Sequence, residues 1–192
     1  MALQTTLTQI GDFLLDLVFP RRCIGCGAEG EFLCVSCRDS LPRLEPPYCG
    51  RCGVPHTVGR FCPNCLSSPL AIDGIRSLFL HQGLAREAMH HLKYKNLKTL
   101  AQPLAELMAE YLESNPLPAD ILAAVPMHSK RMRTRGYNQS NLVVEALSHI
   151  TRLPTAEGSL IRMRNTPSQV SLGAEARRSN VQGAFQCKDQ VF

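Results

Sequence analysis

Eight of the nine cysteines in this chain fall into four Cys-x-x-Cys pairs: Cys23/Cys26, Cys34/Cys37, Cys49/Cys52 and Cys62/Cys65. A Cys-x-x-Cys turn aims two thiolates at one point, and two such turns supply the four soft sulfurs that tetrahedral Zn²⁺ takes in a closed structural site. Four turns therefore predict two structural Zn²⁺ ions. Glycine follows the second cysteine at Gly27 and Gly53, where a metal knuckle needs a tightly turned residue. A disulfide framework fits less well, because the doubled x-x spacing is a metal pattern and the chain shows no export signal. Iron in a rubredoxin-like four-cysteine site would have the same ligand geometry, and spacing ranks zinc ahead without separating the two. The short gaps from Cys26 to Cys34 and from Cys52 to Cys62 favour two ribbons that each close on themselves. An interleaved pairing, first with third and second with fourth, stays open.

A second chemistry is carried by cations. Lys130, Arg131, Arg133 and Arg135 crowd the stretch 127–137, directly after 120–126, a nearly all-apolar run that reads as a strand buried on both faces of a parallel sheet. Asn138 or a near neighbour then caps a helix carrying Leu142, Val143, Ala146, Leu147 and Ile150. Loops at the carboxyl ends of such strands are where α/β folds bind ligands, and cations beside a helix start favour anions. Arg162, Arg164, Thr166 and Gln169 repeat the theme, followed by Arg177 and Arg178 on a helix ending near Gly183. Arginine suits bidentate phosphate recognition. The plain alternative is a solvated basic turn; the placement after a buried strand, not along a helix face, weighs against it. His90 and His91 resemble a metal or catalytic pair, but adjacent helix positions diverge and no carboxylate or cysteine stands at ligand spacing. Cys187 is expected to be a small buried hydrophobe.

The elements that must position these residues follow from periodicity and composition. Residues 1–20 form an amphipathic helix with Leu3, Leu7, Ile10, Leu14, Leu17 and Val18 on one face, stopped by Pro20. Its polar face is acidic, so packing on the protein is favoured over a membrane surface. The ribbon module spans 21–68, and an α/β domain spans 69–192 after the linker 66–69. Within that domain 75–81 reads as a strand, and 83–94 as a helix with Leu84, Ala88, His91 and Leu92 inward. A second helix covers about 97–112. No apolar run reaches the roughly 18 residues a membrane helix needs. The net charge of +5 is uneven: residues 126–192 hold ten Lys/Arg against four Asp/Glu, and residues 1–125 eleven against twelve. The basic character therefore belongs to the C-terminal third, which suits a phosphate-bearing partner.

Val125-Pro126, Arg131, the run Arg135-Gly136-Tyr137-Asn138-Gln139-Ser140, then Arg164, Gln169, Arg177 and Asn180-Val181-Gln182-Gly183-Ala184-Phe185 resemble the ComF/GntX family. The resemblance spans essentially the whole chain. It implies an α/β fold in which a small double zinc ribbon precedes a type I phosphoribosyltransferase-like, Rossmann-like domain. It also implies a cytoplasmic role on incoming single-stranded DNA in natural competence, beside a helicase-like partner. Lys130, Arg131, Arg133, Arg135, Asn138, Gln139, Arg164 and Arg177 are assigned on this basis to phosphate or nucleic-acid binding; no catalytic residue is assigned. Type I phosphoribosyltransferases continue into a buried strand, an acidic pair and a Thr-Gly phosphate cradle. This sequence stops at Val191-Phe192, so the domain is expected to be incomplete and inactive as a transferase. Phosphoribosyl pyrophosphate would be a ligand only if the chain continues beyond 192. The competing reading is a zinc-ribbon module that binds nucleic acid or protein, with the α/β part as scaffold. Arg22, Arg38, Arg43, Arg51 and Arg60 would then track phosphates, with Phe32, Tyr48 and Phe61 as the available aromatics.

Overall fold

Glycines at the turns set the architecture of the first part of the chain. In the computed structural model, which describes residues 20–68, 70–170 and 172–188, Gly27 and Gly53 have φ of 75° and 71°. Each amide closes its knuckle on the first cysteine: Gly27 N–H donates to Cys23 O at 2.8 Å and Gly53 N–H to Cys49 O at 2.9 Å. A side chain there would strain the turn. The second turn of each ribbon is a short helix that begins immediately after a cysteine. These are α1, Val35–Asp39, capped at Cys34, and α2, Pro63–Ser67, capped at Cys62. Pro63 sits at the first helical position, where its missing N–H costs nothing. The helix expected over 1–20 falls outside the described residues except at Pro20.

By packing, the chain divides into two units, 1–89 and 90–192. The stretch after the ribbons is stitched to them by backbone hydrogen bonds, Ile75 N–H to Arg51 O, Leu44 N–H to Leu78 O and Leu80 N–H to Pro42 O. The strand expected over 75–81 is reduced to one antiparallel bridge, Phe79 with Arg43. Pro42 accepts but cannot donate, so the ladder does not extend. Helix α3, Gly83–Tyr94, has the bounds expected from sequence, and its apolar spacing buries Ala85, Ala88 and Leu92.

In the second unit a 3₁₀ turn, Lys98–Leu100, leads into α4, Ala101–Ser114. Next come α5, Ser129–Arg135, and α6, Gln139–Thr151. Small residues let α4 and α6 approach closely: Ala105, Ala109 and Leu147 form a buried cluster onto which Met108, Leu112, Leu122, Val143 and Ala146 pack. The sheet is a two-stranded antiparallel pair, β1 (Leu160–Arg162) with β2 (Phe185–Cys187), in register Leu160 with Cys187 and Arg162 with Phe185. Between them lies α7, Ala174–Val181. The unit is thus a mix of helices and a small sheet, an α/β arrangement.

Three further expectations change. The run 120–126 is extended but not doubly buried: it makes one parallel bridge, Leu122 with Thr155, and Val125 is 60% exposed. Among the described residues, the chain at 154–156 lies along it, through Leu122 N–H to Pro154 O and Ala156 N–H to Leu122 O. The stretch 127–137, expected to be a loop, is largely helix α5. His128 caps it, its Nδ1 accepting from Lys130 N–H at 3.2 Å, and Gly136 ends it in the left-handed conformation at φ 80°. Cys187 is exposed, at the end of β2 beside the exposed Gln186.

Two four-cysteine centres and a basic cleft

The eight cysteines resolve into two sequential groups. The sulfurs of Cys23, Cys26, Cys34 and Cys37 lie within 4.8 Å of one another, as do those of Cys49, Cys52, Cys62 and Cys65. The interleaved pairing is therefore not the one adopted. A tetrahedral zinc with Zn–S bonds of about 2.3 Å sets its sulfurs about 3.8 Å apart. Cys26 Sγ and Cys34 Sγ are 3.7 Å apart, and so are Cys52 Sγ and Cys62 Sγ. The donor sets are all sulfur, and most members are buried. These groups fit two structural Zn²⁺ ions with no open position for chemistry.

The electrostatics of the bare thiols make the same point. Burial raises Cys23, but the amides of Cys34, Cys26 and Gly25 outweigh it and bring the thiol down to about 6. The Cys52 amide, joined by those of Cys62 and Arg51, lowers Cys49 to about 5. Their neighbours move the other way: Cys37, facing Cys23, is raised to about 12, and burial with Cys52 beside it raises Cys65 to about 12. One thiolate per site is stabilised by the backbone, Cys37 and Cys65 hold their protons beside it, and a bound cation would displace those protons. Cys34 N–H reaches Cys23 Sγ at 3.5 Å and Cys62 N–H reaches Cys49 Sγ at 3.3 Å. The two ribbons therefore repeat one design.

The second unit holds the basic site. Lys130, Arg131, Thr134 and Arg135 of α5 line a cleft of about 610 Å³ with Tyr94 and 165–168. A smaller cleft of about 200 Å³ adjoins Arg131, Arg135, Asn138, Gln139, Ser140, Arg162, Lys93 and Tyr94. Among the described residues, no carboxylate lines either one. Thr166, which is buried, holds two of the arginines: Arg131 Nη2 donates to its carbonyl at 2.5 Å and Arg162 Nη2 to its hydroxyl at 2.6 Å. Arg162 Nε is buried with no hydrogen-bond partner among the described residues. Burial, then the neighbouring Arg131, lower the Arg162 guanidinium from its ordinary value.

The residues expected from sequence separate by role. Lys130, Arg131 and Arg135 meet at the larger cleft. Gln139 orients Arg135, its Oε1 accepting from Nη1 at 2.7 Å. Asn138 borders the smaller cleft, but its amide is committed to the fold: Oδ1 caps α6 at Ser140 N–H, and Nδ2 donates to Val125 O and Asn141 Oδ1 at 2.9 Å. Arg133 lines neither cleft. Arg164 donates to Gln182 O and Arg177 to Gln169 O, so both brace the segment around α7. Arg162, Lys93 and Tyr94, absent from the expected site, complete it. The sequence had drawn attention to Arg162 as one of the second set of cations without assigning it to the site; nothing local pointed to Tyr94.

The double zinc ribbon domain family matches residues 14–66. Competence protein F of Haemophilus influenzae is 28% identical over 178 residues, covering 87% of this chain and 76% of that protein. DNA utilization protein YhgH of Salmonella typhi is 29% identical over 160 residues, covering 80% and 70%. Competence protein ComFC of Bacillus subtilis is 24% identical over 142 residues, covering 70% and 57%. No solved structure gives a significant match. Paired four-cysteine ribbons precede a mixed helix and sheet unit, and likeness to these proteins runs through both parts: the chain is similar to the ComF family of competence and DNA-utilization proteins.

Proposed function

We propose that this protein serves DNA uptake or utilization by holding the phosphates of single-stranded DNA in the basic cleft of its second unit. The observation that carries the reading is the Arg131/Arg162 pair. Two guanidinium groups are fixed side by side on Thr166, without a carboxylate between them. Arg162 Nε is a buried donor without a partner among the described residues, and such a donor costs about 1–3 kcal/mol. A phosphate oxygen would satisfy it and relieve the repulsion at once. Charge-assisted contacts to phosphate are the stronger class of hydrogen bond. The relatives named for competence and DNA utilization give the anion its identity in this reading.

The ribbons act as structural modules in this account. A helicase-like partner and a cytoplasmic setting follow from the family resemblance as parts of the same proposal. The described residues contain no helix long and apolar enough to cross a membrane. Strand binding is the whole of the proposed activity, with no phosphoribosyl transfer included.

A salt titration tests the reading. Counterion release makes the logarithm of affinity for a single strand fall with slope about −0.7 per phosphate neutralised. Removing both side chains in Arg131→Ala/Arg135→Ala is expected to flatten the slope by about 1.4. An unchanged slope would return these arginines to the status of a solvated basic helix.

A further inference from the structure

Tyr94 ends α3 and is 61% exposed. It lines both clefts, together with Arg131 and Arg135. The Arg135 guanidinium carbon lies 5.2 Å from the centre of its ring, and that guanidinium is itself held by Gln139 Oε1 at 2.7 Å. The His90 ring, one turn back on the same helix, is tilted by 46° at 5.1 Å and is exposed. An aromatic ring is thus steadied by a cation, borders two carboxylate-free clefts, and leaves most of its surface to solvent.

We propose that Tyr94 is a stacking platform for one nucleobase of a single strand whose phosphates lie along Arg131, Arg135 and Arg162. The cleft would then select unpaired nucleic acid over duplex or bare phosphate. This rests on the reading of the cleft as a phosphate site. Every base offers a π-face, so stacking on Tyr94 would be tolerant of sequence, and a planar guanidinium beside the ring extends the platform. A paired base keeps both faces against its neighbours in the duplex and offers none. The larger cleft, about 610 Å³, lies within the range of about 300–1,000 Å³ that takes small ligands. Its remaining walls are Lys130, Thr134, Asn165, Thr166, Pro167 and Ser168. The short polar groups of Thr134, Asn165 and Ser168 can meet any base edge without demanding one.

The experiment compares fluorescence anisotropy titrations of a thymidine oligonucleotide of about 16 nucleotides with an abasic strand of equal length and charge. The proteins are the full chain and its Tyr94→Ala, Tyr94→Phe and Arg131→Ala variants, each checked for zinc content and helicity. The wild type is expected to prefer the thymidine strand. Tyr94→Ala should lose about five- to a hundredfold on that strand, bind the abasic strand as before, and keep the salt slope. Tyr94→Phe should bind like wild type. Arg131→Ala should weaken both strands equally and flatten the slope. Equal wild-type affinity for the two strands, or an unaltered preference in Tyr94→Ala, would overturn the platform while leaving the phosphate site standing. Failure to bind either strand would overturn both readings. A mononucleotide that competes as well as the strand, nucleotide for nucleotide, would transfer the cleft to a small ligand and overturn the strand assignment.

Discussion

Thr166 is 4% exposed and serves two arginines at once, the carbonyl taking Arg131 and the hydroxyl taking Arg162. The isosteric change Thr166→Val keeps the carbonyl and removes the hydroxyl. It should release Arg162 and cost about 1.5–3 kcal/mol, the range for a hydrogen bond to a charged group, read by chemical denaturation. Asn138 is the second residue on which the site's geometry depends. Asn138→Ala removes the cap of α6 and leaves Val125 O without its donor. The cap alone contributes about 1 kcal/mol, and the lost hydrogen bond to Val125 O brings the expected loss to about 2 kcal/mol. Strand affinity should fall less in Asn138→Ala than in Arg131→Ala, because the Asn138 amide is occupied by the fold. The sequence made the cations of α5 visible, since they are neighbours in the chain. It showed Arg162 only as one of a second set of cations and hid Tyr94; the two reach the smaller cleft from β1 and from the end of α3, and no local pattern records such a meeting.

At the scale of elements, the ribbons were the most legible part. A Cys-x-x-Cys knuckle is a local object whose two ligands, glycine and turn lie within a few residues. Helix α3 was legible for a related reason, its apolar residues repeating at helical spacing over three turns. Helix α5 was not, because it buries no residue and so carries no apolar period. The strand expected at 120–126 was misjudged for its surroundings: apolar composition reports a preference for burial, and among the described residues one neighbouring segment is there to provide it. Two substitutions probe the ribbons. Cys34→Ser should lose one of two bound Zn²⁺ ions by metal analysis and spare the other, since the two groups share no ligand. Loss of both ions together would contradict the sequential pairing. Gly25→Ala should weaken the same site selectively. Its new methyl would come within 2.7 Å of Cys37 Sγ and 3.0 Å of a Leu84 methyl, and a sulfur fixed as a ligand cannot step aside as a free side chain would.

For the molecule as a whole, metal and charge divide the work. Structural zinc supplies folding energy directly to modules too small for a core of their own. Chelation should therefore unfold the ribbons and the stretch 70–80 hydrogen-bonded to them. The α4 and α6 helices, whose core contains no cysteine, should keep their circular dichroism; a complete loss of helicity on chelation would contradict that independence. The excess of positive charge lies in the C-terminal third, and it gathers there around clefts that no described carboxylate lines. The measurement that tests the central claim most directly is ultraviolet crosslinking of a thymidine-rich single strand to the full protein, with the attached peptides located by mass spectrometry. Crosslinks are expected at Tyr94 and within 130–140 and 162–168, and they should be lost in Arg131→Ala/Arg135→Ala. Crosslinks confined to the ribbons at 21–68, or unaffected by that double substitution, would contradict strand binding in the basic cleft.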